Sequence, residues 1–459
     1  MGMSSLTFDL DLVRKYNVPG PRYTSYPPAT QFTDRLPLAQ VVANIRANNT
    51  AARDLSLYFH LPFSESLCWF CGCTTVITTD QRKSGAYIEA LGREMALVRP
   101  MLHADRQVTQ LHFGGGTPTF SSPDQLRRLG ELIRASFTFA PDVEAGVEVD
   151  PRRLTREHLV ALREIGFNRA SMGVQDNDPE VQASVHRIQP LAMTTQAVAW
   201  LRETGFTSLN IDLIYGLPHQ TVASFAKTLD EILALQPDRF AVFSYAHVPW
   251  MKPAQKIVQA RVLPSPEVKF ELLKLTIEKL GEAGYLYIGM DHFARATDEL
   301  AVAQRQGKLQ RNFQGYSTRG GADIYAFGMS SISQADGTYW QNLKNLEAYE
   351  ACVAGGKLPY ARGYVLSPDD RIRRVTIMQI MCNLRANYAA MSAQLGISFR
   401  EYFARELASL DDLEADGLLV CSESGLEVTE LGRLLVRIIA MRFDAYLPKP
   451  TERRHAMTI

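Results

Sequence analysis

The sequence predicts an α/β fold: a partial (β/α)6 barrel, with an N-terminal arm before it and a small, mostly helical C-terminal domain after it. Three observations predict it. Six short apolar runs alternate with helical patterns between about residues 54 and 250. Each run is near-continuous in apolar character, as a strand covered on both faces should be. Chemically unusual residues recur where the runs end, the side on which such barrels keep their chemistry.

In order, the strand candidates are Leu55–His60, Gln110–Phe113, Gly146–Val149, Ala170–Val174, Leu209–Ile214 and Phe240–Tyr245. Helices follow them, several with visible starts, such as Ser122 before Pro123 and Thr155 before the Leu159, Leu162 periodicity. Six units are fewer than a closed barrel needs, so one side is expected to stay open to a large substrate. Residues 1–50 precede the first strand and contain a Pro-rich stretch, Pro19 to Pro28, that reads as an extended arm. The barrel and its extension take residues 51–360. Over 361–459, Ser367-Pro368-Asp369 opens a helix, a short strand lies near Leu418–Cys421, and Thr429–Tyr446 has helical spacing.

A length of 459 residues with 46% hydrophobic and 21% charged residues is ordinary globular composition. Net charge is zero, so nothing draws the whole chain toward nucleic acid or an anionic membrane, and an anionic ligand must be met by local Arg and Lys. No basic stretch followed by an apolar run opens the sequence, and no apolar run is long enough to span a membrane, so the expected compartment is the cytoplasm. Of six cysteines, Cys68, Cys71 and Cys73 lie within six residues, a density that suggests metal or redox chemistry. Cys352, Cys382 and Cys421 read as buried small hydrophobes.

The loop after the first strand runs Leu61-Pro62-Phe63-Ser64-Glu65-Ser66-Leu67-Cys68-Trp69-Phe70-Cys71-Gly72-Cys73, and Gly114-Gly115-Gly116-Thr117-Pro118 closes the second. Together they resemble the radical S-adenosylmethionine (SAM) superfamily, which holds a [4Fe–4S] cluster by three thiolates spaced C-x3-C-x2-C. Cys68 and Cys71 match the second and third ligands, and Ser64 stands at the first. A serine hydroxyl is hard and must become an alkoxide, so three arrangements follow: Ser64 ligates through oxygen, Cys73 replaces it, or the cluster is incomplete. A C-x2-C-x-C zinc or redox site is the other reading of the cysteines. Glu148 and Asp212 are carboxylates within apolar strands, where an unpaired charge is costly.

Further segments narrow the resemblance: Pro21-Arg22-Tyr23-Thr24-Ser25-Tyr26-Pro27, Ser171-Met172-Gly173-Val174-Gln175-Asp176, Asp291-His292-Phe293-Ala294 and Arg311-Asn312-Phe313-Gln314-Gly315-Tyr316. With these the chain is similar to the oxygen-independent coproporphyrinogen III oxidases. The resemblance implies oxidative decarboxylation of coproporphyrinogen III by a 5′-deoxyadenosyl radical, one or two SAM molecules, an electron donor and acceptor, and a monomer. It implies metal ligation at Ser64, Cys68 and Cys71, and contacts to cluster-bound SAM from Tyr58, Gly115 and Glu148. A second SAM site would correspond to Phe70, Gly116, Thr117, Gln175, Arg187, Asp212, Ala246 and Ile332. Arg22 and Arg311 are candidates for the substrate carboxylates. Because of Ser64, two other readings stand beside the active enzyme: a silent paralogue or Cys-to-Ser variant that binds SAM or a tetrapyrrole without turnover, and a haem-binding protein that uses His247 or another histidine.

Overall fold

The structure, a computed structural model, describes residues 8–335 and 337–447. Among these, the six expected strands are present, five of them longer than expected and the sixth shifted by one residue: β1 Leu55–Leu61, β2 Gln107–Gly115, β3 Thr138–Val149, β4 Arg169–Gln175, β5 Ser208–Tyr215 and β6 Arg239–Ser244. Neighbours in this series pair in parallel. Ser122 and Thr155 cap their helices through reciprocal capping boxes, as does Ser367.

The sheet does not stop there. Tyr285–Gly289 (β7) and His292–Arg295 (β8) extend it antiparallel beyond β6, in the order β6-β8-β7. On the other side Asp323–Phe327 (β9) lies parallel to β1, followed outward by Ile332–Ala335 (β10), Thr338–Asn342 (β11) and Tyr360–Val365 (β12), all antiparallel. The parallel set therefore has one strand more than the six expected, because β9 returns beside β1 after a long excursion. The start of β9 is pinned by Asp323, whose carboxylate takes Arg53 and the buried Arg106. A buried acid with two guanidinium partners is satisfied where a lone one would be costly.

The N-terminal segment is less extended than expected. Leu10–Tyr16 and Leu38–Ala47 are helices, and the Pro-rich stretch between them, Pro19 to Pro28, lacks regular structure. Tyr16, Tyr23 and Tyr26 pack into a second core with the C-terminal domain. There the Tyr23 hydroxyl donates to Asp444 and the Ala445 N–H donates to the Tyr26 hydroxyl. In that domain the helix Pro368–Asn383 and several short helices surround a sheet of Arg385–Asn387, Gly425–Val428 and Leu419–Cys421. The Thr429–Tyr446 spacing yields regular helix only over Val436–Met441. Of the later cysteines, Cys382 is buried, while Cys352 and Cys421 are partly exposed.

A short hairpin, Gln310–Asn312 with Gly315–Ser317, crosses the concave face of the sheet. Gln314 donates to Ser56 on β1, Gln110 on β2 donates to Ser317, and Tyr316 meets His292 on β8 edge to face at 5.3 Å. Behind β9, the fully buried Glu94 on the helix Gln81–Val98 ties the extension together, accepting from Gly328 N–H, Asn342 Nδ2 and the Tyr349 hydroxyl.

Burial pushes the Glu94 carboxyl from near 4.5 up to about 7, against the pull of those three donors. Between these two values the folded chain binds the proton more tightly than the unfolded chain, so this group makes stability fall as pH rises through that window. Glu94→Gln is expected to flatten that slope, measured as urea midpoints of both proteins across the same pH range.

Candidate active site

The strand ends bring the predicted residues to one rim. At the end of β1 the chain turns through Phe63–Ser64, which pairs in parallel with Val76–Ile77, and the intervening loop carries the cysteines. Trp69 N–H donates to Val185 O, the Trp69 ring stacks on His186, and His186 Nδ1 lies 3.0 Å from Leu67 O, so the stretch after β4 anchors this loop. The glycines ending β2 fit against it closely. Gly116 N–H donates to Leu61 O, Thr117 N–H donates to Phe63 O, and a Cβ at Gly116 would meet Pro62 O at 2.5 Å. Gly115 has φ +116°, a left-handed conformation suited to glycine, and its own Cβ would strike the His60 ring.

These elements enclose a cavity of about 190 Å³. Ser64, Cys68, Cys71, Phe70, Gly115, Gly116, Thr117, Glu148, Gln175, Arg187 and Asp212 all line it. Three predicted residues do not. Tyr58 lies one layer behind, its ring stacked on His112 and its hydroxyl 3.3 Å from His60 Nδ1; His112 in turn reaches Glu148 at 3.5 Å. Ala246 is exposed just past β6, next to Tyr245, which packs with Phe70. Ile332 on β10 packs with an aromatic group around Phe32, Phe313 and Tyr339 instead of the cavity wall. His247 is held by the Tyr245 hydroxyl at 3.1 Å.

The cavity is electrostatically divided. Under Cys68, Asp150 accepts from both Arg152 and Arg187, and each guanidinium also reaches the Cys68 sulfur, at 3.3 and 3.6 Å. Burial alone would raise the Asp150 carboxyl, but Arg187 and Arg152 bring it down to about 2. Opposite, Glu148 accepts from Gly115 N–H, and despite its burial His112 holds it below the usual carboxylate range. Asp212 accepts from Ser171 and Asn210, yet burial and the charge of Glu148 push it up to about 7. The hydrogen bond between the Cys71 and Cys73 thiols lowers Cys71 to about 6 and raises Cys73.

Sequence reasoning gave no site role to Arg152, Ser171 and Gly173, which also line the cavity. Arg152 was visible two residues past a strand-end acid, and Ser171 and Gly173 follow from alternation with Met172 on β4.

This donor set fits an iron–sulfur cluster with an organic cation beside it. Thiols and arginines gather on one side, glycines without Cβ leave room, and carboxylates lie on the other. The superfamily then follows from comparison. The Radical SAM superfamily profile matches residues 59–232, and the HemN C-terminal domain profile matches 366–435. Oxygen-independent coproporphyrinogen III oxidase of Pseudomonas aeruginosa is 45% identical over 460 residues, covering 100% of both chains. That of Escherichia coli K12 is 47% identical over 450 residues, 97% of each. The solved structure of coproporphyrinogen III oxidase (HemN) from Escherichia coli, described as a radical SAM enzyme, matches with TM-score 0.92 at 45% identity, covering 97% of this chain and 100% of that one. The chain belongs to the oxygen-independent coproporphyrinogen III oxidase family.

A methyl group has no place at residue 116. Gly116→Ala is expected to destabilise the protein by about 1–3 kcal/mol, as overpacking does, read from chemical denaturation of the two proteins.

Proposed function

We propose that this protein converts coproporphyrinogen III to protoporphyrinogen IX without oxygen, as a radical SAM oxidoreductase of haem biosynthesis. The observation that carries this is the meeting of Cys68, Cys71, the glycine run and Glu148 in one cavity, in a chain of this family. With an electron from a [4Fe–4S] cluster, bound SAM supplies a 5′-deoxyadenosyl radical, an oxidant strong enough for an unactivated propionate carbon. Each of two propionates gives up a hydrogen atom and carbon dioxide, and the electron left behind passes to an acceptor. The vinyl group is the product.

The protein's part is binding, orientation and exclusion of water. Cys68 and Cys71 hold the cluster, with Arg152 and Arg187 offsetting its negative charge beside Cys68. Glu148 and the Gly115 backbone receive the amino group of SAM, and Tyr58 keeps His112 and His60 in place behind them. Phe70, Gln175, Arg187 and Asp212 belong to the wall for a second SAM or for the substrate, with Ala246 exposed beside it. Within the described residues no helix is long and apolar enough to cross a membrane. The reading sets the protein in the cytoplasm as a monomer, served by an electron donor and an electron acceptor.

For the substrate carboxylates, Arg22 and Arg311 differ. Arg22 is already paired with Asp291 at 2.5 Å and anchors the arm. Arg311 is buried over the Tyr316 ring at 4.8 Å, has no carboxylate partner among the described residues, and its Nη1 has no hydrogen-bond acceptor. A guanidinium in that condition favours an arriving anion.

Two measurements on anaerobically reconstituted protein test the reading. Glu148→Ala is expected to weaken SAM binding about 10- to 100-fold by calorimetry, since a hydrogen bond to a charged group contributes about 1.5–3 kcal/mol. Arg311→Ala is expected to raise KM for coproporphyrinogen III by about tenfold or more on the same grounds, while 5′-deoxyadenosine formation without substrate stays unchanged. Absence of 5′-deoxyadenosine and of carbon dioxide from the unaltered protein would refute the function itself.

A further inference from the structure

We infer that in this chain Cys73 supplies the third thiolate, so that the cluster is held by Cys68, Cys71 and Cys73 while residue 64 is not a ligand. The inference rests on the reading above that the cavity holds a [4Fe–4S] cluster. It concerns what this chain does about Ser64.

Ser64 is poorly placed to ligate. Its backbone is fixed in the parallel pair with Ile77, and Thr78 N–H donates to its carbonyl. Its hydroxyl is engaged by Thr117 Oγ1 at 3.0 Å, across the glycine turn. Binding iron would require breaking that bond and stripping a proton from an alcohol, for a hard oxygen donor on a metal that prefers soft sulfur.

Cys73 offers soft sulfur in place of hard oxygen, and the thiol that engages it, Cys71, is itself a cluster ligand. It lines the same cavity, is exposed, and its backbone N–H donates to Cys71 Sγ at 3.4 Å. Hydrogen bonds of that kind to a ligand sulfur are among the features that tune iron–sulfur clusters. The segment can also turn. A Cβ built on Gly72 meets nothing within 4 Å, so the chain between Cys71 and Cys73 has space to swing the second thiol away from the first. A cubane presents each thiolate with a different iron, so the three sulfurs need not converge on a point. Lys252 Nζ, 3.4 Å from Cys73 O, and Gln255, which donates to Phe70 O, steady the far side of the loop.

The test is anaerobic reconstitution of the full chain and of Ser64→Ala, Cys73→Ser, Ser64→Cys and the Ser64→Cys/Cys73→Ser double variant. Iron and sulfide content, visible absorption, and electron paramagnetic resonance of the reduced cluster with and without SAM are the readouts. Thermal melts of the apoproteins control for folding. Ser64→Ala is expected to match the unaltered chain, Cys73→Ser to lose the cluster absorption and its resonance, and the double variant to regain both. Retention of the cluster by Cys73→Ser, or its loss from Ser64→Ala, overturns the inference while leaving the cofactor reading intact. Failure of every protein, Ser64→Cys included, to take up iron and sulfide sinks the cofactor reading, and the inference with it.

Discussion

The site depends on the close approach of two strand ends. β1 and β2 run in register so that His60 faces Gly114 and Leu61 faces Gly115, and the next residue along, Gly116, rests on the Pro62 carbonyl. Each glycine answers a different neighbour: a Cβ on Gly114 would press on Glu148 Oε1 at 2.8 Å, one on Gly115 on the His60 ring, and one on Gly116 on backbone. Side chains there would drive the cysteine loop outward and displace the Glu148 carboxylate. The loop, the acid and the glycine amides share one cavity because that rim carries no Cβ.

On this frame the charges sort themselves. The Arg152–Asp150–Arg187 group is held on the thiol side by five hydrogen bonds to Asp150, four from Arg152 and one from Arg187. Glu148 and Asp212 are on the other. A cluster ligated by thiolates is an anion and SAM carries a sulfonium and an ammonium, so each meets the complementary wall. The two carboxylates also repel each other, which is part of why Asp212 is held toward its protonated form. A cation arriving between them would relieve that repulsion.

Most of the barrel was legible because its strands alternate with helical patterns and each carries buried apolar residues, nearly continuously in β1 and at every second position in Leu209–Ile214. β10 to β12 escaped because they are short and their sequences mix polar with aromatic residues, as in Thr338-Tyr339-Trp340-Gln341-Asn342, so no apolar run marks them although most of β11 is buried. The hairpin at Gln310–Ser317 and the helices at either end of the arm are placed by contacts with distant segments, which periodicity cannot see. The cavity wall was read well where a residue type was anomalous in its context: a cysteine in a loop, a glycine run, an acid in a strand. Arg152 is marked in sequence only by its place two residues past the strand-end Asp150, and its geometry under Cys68 is what sets it in the wall. Ile332 came from resemblance alone, and its packing beside Phe32 gives it no direct part in the wall.

The concave face decides which way a large substrate can lie. The hairpin spans it from Ser56 and Gln110 to His292, while the arm closes over the same region through Arg22 and Asp291. Arg311 is on that hairpin, its Nε shared with the Arg22 carbonyl at 3.4 Å, so the arm and the hairpin position one unsatisfied guanidinium together. Burial lowers the Arg311 pKa and the nearby Arg22 adds to that effect; no acid of the fold offsets it fully. A buried cation with an open donor is an unfavourable state for the empty protein, and a carboxylate brought by a ligand is the group that relieves it. The arm therefore does more than pack against the barrel, because the Arg22 backbone it contributes helps hold Arg311 in that state.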